Sequence, residues 1–275
     1  MPDVGMPRSL ALVGAGKMGG AMLEGWLDTG LPGPAVSVYD PQVSPAMTAL
    51  AERAGVILNP PDESRVAPDV LVLAIKPQML EGAAPAIRPL VGAGTLLVSV
   101  LAGKTVANLR TALPEAGAVV RAMPNLPASI GRGATGAYAN EAVDDAQRAV
   151  ADALLRASGL VEWVCDEGLI DAVTGVSGSG PAYVFALVEA LAEAGVAAGL
   201  PADLAMRLAR ATVVGAGALL GESDLPAETL RKNVTSPGGT TAAGLAVLQR
   251  DENGLPALMR ETVAAAKRRA QELSG

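Results

Sequence analysis

Three glycines near the N-terminus have the spacing of a phosphate-binding turn. They are the first, third and last residues of the segment 14–19, which directly follows the apolar run Leu10–Val13. At a strand-to-helix turn, the first glycine permits the tight turn, the second lets the backbone approach a pyrophosphate, and the third lets helix and strand pack closely. The spacing therefore predicts a dinucleotide site, and a tight turn without a ligand is the alternative in a chain with 32 glycines. The residues predicted to contact the dinucleotide are Gly14, Gly16, Lys17, Met18 and Gly19.

Asp40 follows the second apolar run, Val36–Tyr39, where an acidic side chain commonly binds the adenosine ribose of a dinucleotide. A carboxylate there can bind both ribose hydroxyls of NADH, but it repels the 2′-phosphate of NADPH. The residues next to Asp40 supply no cation, and Asp62 adds negative charge to the same region. We therefore expect NADH to be preferred, and neutralisation of the phosphate by Lys17 or Arg53 is the alternative.

A cation and a rigid turn follow the third apolar run, Val70–Ile75. Lys76 and Pro77 lie there, at the carboxyl end of a predicted strand, which is where open α/β sheets bind ligands. Lys76 is therefore a candidate for contact with the ribose or nicotinamide of a cofactor. A solvated lysine at a strand end is the alternative.

Two glycine-rich clusters interrupt the second half of the chain, at residues 176–183 and 233–241. Each is predicted to precede a helix and so to present unpaired backbone N–H groups beside Ser or Thr hydroxyls, an arrangement that suits a carboxylate. For the first cluster, the alternative is a plain helix start with proline at its first position. For the second, the alternative is an elaborate capped turn, and this cluster is the stronger candidate.

Composition excludes several kinds of site and partner. The chain has no histidine and one cysteine, so a Ser-His-Asp triad, a His-ligated zinc and an internal disulfide are excluded. Its chemistry must come from a cofactor, or from carboxylates and hydroxyls, and no metal site is predicted. The net charge of −7 gives no attraction to nucleic acid or anionic lipid. The apolar run 182–200 is broken by Glu189 and Glu193, so no membrane span is predicted, and the lack of a signal-peptide pattern leads us to expect a cytoplasmic location.

The predicted secondary structure that would position these residues changes from alternating strands and helices to helices alone near residue 165. Before it, short apolar runs, including Leu96–Val100 and Val119–Arg121, alternate with helical stretches, which is the pattern of βαβ units. After it, apolar stretches with charges at helical spacing predict long helices. These helices are predicted over roughly 180–198, 201–221 and 255–272.

We therefore predict an α/β fold with two domains. Residues 8–164 should form a Rossmann-type doubly wound parallel sheet that binds the dinucleotide, and residues 165–275 an all-α dimerisation domain. Dimerisation is expected because the helices over 180–198 and 201–221 are apolar over more than the stripe that one small domain would cover.

From residue 8 onward the chain resembles the pyrroline-5-carboxylate reductases. The motifs that carry the resemblance are the turn at 14–19, Ala-Ile-Lys-Pro-Gln at 74–78, Arg-Ala-Met-Pro-Asn at 121–125, Ser-Gly-Ser-Gly-Pro-Ala-Tyr at 177–183, and the segment 234–249. The last is the most specific, because the Rossmann glycines occur in many unrelated enzymes. The resemblance implies hydride transfer from NADH or NADPH to the C=N bond of 1-pyrroline-5-carboxylate, which gives L-proline.

The resemblance also implies roles for individual residues. Thr241 would be the catalytic residue, because its hydroxyl would lie beside the imine nitrogen, orient it and hydrogen-bond to it. The carboxylate and ring nitrogen of the substrate would be held by Ser236, Gly239, Thr240 and Thr241. The nicotinamide side of the cofactor would be lined by Lys76, Ala102 and Asn233, with Ala74 and Pro77 beside Lys76 in the same site.

Members of this family pair through their helical domains, and each active site is completed across the pair. The resemblance therefore implies an obligate homodimer, or a larger homo-oligomer such as a decamer.

Two other functions stay open at this point. A β-hydroxyacid dehydrogenase, or another imine reductase of the same plan, would normally carry a catalytic lysine on the helix that opens the second domain, and residues 177–190 contain no lysine. A nucleotide-sensing protein without catalysis would not need the segment 234–249.

Overall fold

The computed structural model of the chain describes residues 5–274. Its strands are β1 Leu10–Val13, β2 Val36–Tyr39, β3 Ile57–Leu58, β4 Val70–Leu73, β5 Leu96–Ser99, β6 Val119–Met123, β7 Gly133–Ala139 and β8 Gly159–Trp163. They form one eight-stranded sheet in the order β3-β2-β1-β4-β5-β6-β7-β8. The five predicted apolar runs are β1, β2, β4, β5 and β6, whereas β3, β7 and β8 were not predicted, because β3 is very short and β7 consists mostly of small residues.

The sheet is parallel from β3 to β6, and its last two strands run the other way. β6 and β7 pair antiparallel, with Met123 opposite Gly136, and β8 runs parallel to β7. The prediction of a parallel sheet is therefore confirmed for the strands that were predicted, and the antiparallel pairing arises at β7, which was not predicted. The segment 124–132, which joins β6 to β7, is too short for the crossover that a parallel pair requires.

Helices cover both faces of the sheet. They are α1 Lys17–Asp28, α2 Pro45–Ala54, α3 Leu80–Ile87, α4 Val106–Ala112, α5 Asp145–Arg156 and α6 Leu169–Val173. Alternate residues of a strand face opposite sides, so Leu12 packs into one buried cluster with Trp26 of α1, whereas Val13 packs into a second with Leu80 of α3. Trp26 also donates a hydrogen bond from Nε1 to the Leu154 carbonyl at 2.8 Å, which fixes α1 to α5. The doubly wound α/β prediction is confirmed.

The remaining helices are α7 Gly180–Ala197, α8 Ala202–Glu222, α9 Ala227–Asn233, α10 Thr240–Leu248 and α11 Leu255–Ser274. The long helices α7, α8 and α11 match the predicted stretches, and α9 and α10 are additional. α7 and α8 form an antiparallel pair around Gly199, whose φ of 102° reverses the chain. Their contact is close, because a Cβ on Gly195 would lie 3.2 Å from Cβ of Ala205.

The chain divides into two compact units. The first contains the described residues up to Gly178 and those from Ala266 onward, and the second is Ser179–Ala265. This division comes later than the boundary predicted after residue 164, because α6 packs against β6 and β7. A Cβ on Gly136 of β7 would lie only 2.6 Å from the Val173 side chain, so this side chain of α6 packs directly against the backbone of the strand.

The second unit exposes apolar side chains in the single chain. Phe185 is 55% exposed and Val214 is 72% exposed. By length and composition alone, Leu169–Ala197 and Ala202–Glu222 are candidate membrane spans, although no span was predicted from the sequence. Helices that a protein partner covers have the same composition, so this finding on its own is weak evidence for a membrane.

Candidate active site

The three glycines of the segment 14–19 have three different structural roles. Gly14 has a φ of 92°, and a Cβ there would lie 2.8 Å from the Ala74 carbonyl oxygen. A Cβ on Gly19 would clash with the Gly14 carbonyl, so α1 and β1 pack closely only because residue 19 is glycine. Apart from its chain neighbours, a Cβ on Gly16 would meet no described atom within 4 Å. Gly16 therefore leaves open space for a ligand, whereas Gly14 and Gly19 shape the turn.

The N-terminus of α1 is open and uncapped. Gly16 is its N-cap, and no side chain among the described residues accepts a hydrogen bond from its first turn. A cleft of about 520 Å³ lies beside it, lined in part by Gly16, Lys17, Met18, Gln42 and Ser44. Unpaired N–H groups at a helix N-terminus bind anions, and the exposed Lys17 adds a positive charge. The arrangement suits a pyrophosphate.

The Asp40 carboxylate holds the glycine turn in place through a hydrogen bond, a role that the sequence did not indicate. Its Oδ2 accepts a hydrogen bond from the Ala15 backbone N–H at 2.8 Å, and its Oδ1 accepts one from the Gln42 N–H at 2.8 Å. Asn59 brackets the Asp40 backbone, because its Oδ1 accepts from the Asp40 N–H and its Nδ2 donates to the Asp40 carbonyl. The carboxylate is thus held rigidly at the end of β2, with lone pairs left for a ribose hydroxyl.

Asp62 adds less negative charge to this region than the sequence suggested. Arg65, which was not singled out there, lies 2.6 Å from Asp62 in an ion pair. Its guanidinium lies over the Tyr39 ring at 5.4 Å and donates to the Ala86 carbonyl at 3.2 Å. Burial raises the pKa of the Tyr39 phenol, Arg65 opposes that rise and Asp62 adds to it. The residues next to Asp40 supply no cation, as expected, but the chain after β3 brings Arg65 back over Tyr39 of β2.

The strand order reverses direction between β1 and β4, and this is where doubly wound sheets bind ligands. Gly14 ends β1 there and contacts Ala74, which follows β4. Lys76 and Pro77 continue from Ala74, and the exposed Lys76 side chain forms no hydrogen bond or ion pair with the rest of the described chain. Ala102 follows β5, the next strand along the sheet. The structure thus brings together the predicted cofactor residues of the first unit at one edge of the sheet.

In the second unit, the segment 233–241 joins the end of α9, at Asn233, to the start of α10. Ser236 and Gly239 close a turn, with the Gly239 N–H donating to the Ser236 carbonyl at 3.0 Å and Gly238 at a φ of 70°. Pro237 and Gly238 at the central positions make it a type II turn. Gly239 is the N-cap of α10 and offers no side chain to its first N–H groups.

Three exposed hydroxyls surround this uncapped helix start. They belong to Ser236, Thr240 and Thr241, and none forms a hydrogen bond with another residue between 5 and 274. The predicted substrate residues therefore lie together in one turn, and their N–H and O–H groups can bind a carboxylate and a neighbouring polar atom.

The first glycine-rich cluster differs from its prediction. Residues 174–178 form a π-helical segment that leads from α6 to Ser179, the N-cap of α7. The cluster therefore spans the end of one helical segment and the start of the next, and Pro181 in the first turn of α7 fits the alternative of a proline helix start. The π-helical segment is pinned to β7, because the Ser177 hydroxyl donates to the Ala134 carbonyl at 3.0 Å. Asn125 holds the same two residues, since it donates to the Ser177 carbonyl and accepts from the Ala134 N–H. Within the cluster, the Ala182 N–H donates to the Ser179 carbonyl at 3.0 Å and Pro181 has no N–H, so these two positions offer no donor to a ligand.

Arg121 is a buried cation whose partners the sequence did not reveal. Its side chain is 3% exposed and forms ion pairs with Glu167 at 3.2 Å and Asp171 at 3.4 Å. Glu167 also accepts a hydrogen bond from the Val106 N–H at the start of α4. The signal was present in the sequence, because a charge within the apolar run Val119–Met123 requires a buried partner.

Comparison with known proteins identifies family models and enzymes that this chain resembles. The family model described as "Pyrroline-5-carboxylate reductase dimerisation" matches residues 167–273, and one described as "NADP oxidoreductase coenzyme F420-dependent" matches residues 9–103. The pyrroline-5-carboxylate reductase of Pseudomonas aeruginosa is 38% identical over 98% of this chain and 97% of its own length. That of Synechocystis is 43% identical over 74% of this chain and 75% of its own length.

Solved structures agree with the sequence comparison. The pyrroline-5-carboxylate reductase of Coxiella burnetii has a TM-score of 0.89 and 34% identity, covering 98% of this chain and all of that one. The enzyme of Plasmodium falciparum, solved with NADP bound, has a TM-score of 0.81 and 27% identity over 98% of this chain. The chain therefore belongs to the pyrroline-5-carboxylate reductase family, whose NAD(P)H-dependent enzymes reduce the C=N bond of 1-pyrroline-5-carboxylate to give L-proline.

Proposed function

We propose that the turn Ser236–Gly239 and the first residues of α10 bind the substrate. The observation that carries the proposal is the uncapped N-terminus of α10 surrounded by three exposed hydroxyls. The carboxylate would accept hydrogen bonds from the N–H groups of Thr240 and Thr241, and from the Ser236 hydroxyl. Gly239 lets the turn close tightly, because a Cβ there would lie 3.2 Å from the Ser236 carbonyl oxygen.

Within this site, Thr241 is the proposed catalytic residue. The protonated imine is already electrophilic, so the reaction needs no strong protein acid, which fits a chain without histidine. When bound, the reduced nicotinamide supplies the hydride. The Thr241 hydroxyl would accept a hydrogen bond from the imine N–H and orient the ring while the nitrogen loses its charge.

Replacement of Thr241 tests this role. Thr241→Ala should lower kcat/KM by about ten- to a thousandfold, because it removes one well-placed polar contact to the reacting group. Thr241→Ser keeps the hydroxyl and should retain most of the activity. The position is exposed, so both variants should melt at the wild-type temperature. An alanine variant with wild-type kcat/KM would remove Thr241 from the mechanism.

We also propose that the first unit holds the cofactor in the manner expected from the sequence. The open space at Gly16 and the uncapped start of α1 fit a pyrophosphate. Asp40 would bind the adenosine ribose, and Lys76 would lie near the nicotinamide ribose. The other proposed cofactor contacts are Gly14, Lys17, Met18, Gly19, Asp62, Ala74, Pro77 and Ala102, together with Asn233 of the second unit.

A preference for NADH over NADPH is a further proposal. Asp40 places a fixed negative charge at the end of β2, where like charges would oppose a 2′-phosphate. Arg65, which lies over Tyr39, is one candidate for relief, but it already pairs with Asp62 and donates to the Ala86 carbonyl. A phosphate would therefore have to compete with both contacts.

The ratio of kcat/KM for the two cofactors tests this preference. Wild type should favour NADH, and Asp40→Ser should narrow or reverse the ratio, because serine removes the charge. Asp40→Asn is the matched control, since it removes the charge but keeps an acceptor for the Ala15 N–H. A wild-type enzyme with the higher kcat/KM for NADPH would contradict the assignment of Asp40.

The match of residues 167–273 to a dimerisation family supports a homo-oligomer. The apolar side chains exposed on α7 and α8 are the surface that a second copy would cover. We propose an obligate dimer as the basic assembly, and light scattering decides between that dimer and a larger ring such as a decamer.

We also propose a cytoplasmic location, which is compatible with the apolar surface of α7 and α8. If a second copy covers the apolar helices, no lipid is needed to bury them. The protein should then purify without detergent and leave no activity in the membrane fraction.

A further inference from the structure

An apolar groove between α7 and α8 contains two opposite charges that are not paired. Its walls include Phe185, Val188, Met206 and Val214, together with Glu189 of α7 and Arg210 of α8. Neither charged side chain forms an ion pair in the part of the chain that the structure describes. By contrast, Asp203 and Arg207 outside the groove pair with each other at 2.8 Å. If a second copy covers the groove, each unpaired charge loses water and requires a partner.

Glu189 and Arg210 lie at nearly the same height along the helix pair. Gly195 and Ala205 face each other across it, as their close approach shows. Glu189 lies six residues before Gly195, and Arg210 lies five residues after Ala205, which places them about 9 Å and about 7.5 Å from that contact along the antiparallel helices. The groove therefore carries a negative charge on its α7 side and a positive charge opposite it on its α8 side.

We propose that a second copy of this chain occupies the groove with its α7 over α8, so that Glu189 of each protomer pairs with Arg210 of the partner subunit. A two-fold axis along the groove produces this arrangement and forms the pair twice. An axis across the groove would instead place α7 over α7 and bring Glu189 against its own copy, which is unfavourable. The pair thus selects one dimer geometry. The inference rests on the dimerisation proposed above.

Two charge reversals test the pairing, because the chains can be studied separately and mixed. Glu189→Arg gives a chain with two cations in the groove, and Arg210→Glu gives one with two carboxylates. Each alone should raise the dimer dissociation constant at least about 100-fold, measured by mass photometry over a dilution series. Co-expression of the two chains with different affinity tags should yield a heterodimer of near wild-type stability, because both intersubunit pairs are restored, one with the native polarity and one with the polarity reversed.

The mixture distinguishes pairing between protomers from pairing within one protomer. A pair formed within each chain would stay broken in the mixture, since one chain holds two cations and the other two carboxylates. Failure of the mixed chains to form heterodimers in preference to homodimers would overturn the proposal, even if each variant alone misfolds. Arg207→Glu, the same change on α8 outside the groove, should leave the dissociation constant unchanged, and an equal loss there would also overturn it. A wild-type monomer would instead refute dimerisation itself.

Discussion

The buried ion-pair cluster of Arg121 with Glu167 and Asp171 gives the strongest stability prediction. Glu167→Gln together with Asp171→Asn removes both negative charges while keeping side-chain size and hydrogen-bond acceptors. The Arg121 guanidinium, which is 3% exposed, is then left as an uncompensated buried cation. A third change, Arg121→Met, removes that cation as well.

The expected magnitude follows from the exposure of the partners. Removal of one side of a buried ion pair typically costs about 3–5 kcal/mol. Glu167 is 26% exposed and its contribution is partly screened, so we expect the lower part of that range, about 3–4 kcal/mol. The melting temperature should then fall by roughly 6–16 °C. Arg121→Met in the double variant should recover stability to within about 1 kcal/mol of wild type, because an apolar replacement of a buried ion cluster is often neutral.

Thermal and urea unfolding, followed by circular dichroism, measure these differences. The single variant Glu167→Gln is the control, since Asp171 still pairs with Arg121. A double variant as stable as wild type would show that the cluster contributes nothing. A triple variant no more stable than the double would show that packing, and not the buried charge, causes the loss.

Two further predictions concern the glycine turn and the boundary between the units. Gly16→Ala should raise KM for the cofactor at least about tenfold without changing the melting temperature. Gly19→Ala should instead destabilise the protein by ~1–3 kcal/mol through its clash with the Gly14 carbonyl. The opposite pattern would contradict the roles assigned to these glycines. A fragment ending at residue 164 lacks Glu167 and Asp171, the carboxylate partners of Arg121. It should therefore unfold at a lower temperature than a fragment ending at residue 178. Equal melting temperatures would favour a domain boundary at residue 164.

Local sequence patterns predicted many of the strands, helices and turns of this protein. The apolar runs of β1 and β2, the glycine spacing at 14–19 and the helical periodicity after residue 180 each act over a few neighbouring residues, so the sequence predicts them directly. The family and the reaction were likewise predicted from the motifs, of which the segment 234–249 is the most specific. The two-part α/β and all-α organisation was predicted from the change near residue 165 from short apolar runs to helical spacing.

Tertiary contacts decided what the local patterns could not. The direction of β7 depends on the short connection from β6, and the π-helical segment at 174–178 depends on its anchoring to Asn125 and β7. The partner of a charge is fixed only when distant segments meet. For this reason the sequence did not show that Arg65 pairs with Asp62 and lies over Tyr39. Nor did it show that Asp40 accepts a hydrogen bond from the Ala15 N–H of the glycine turn. The sequence by itself determined which groups are available for chemistry, and the folded chain determined which of them are already engaged with one another.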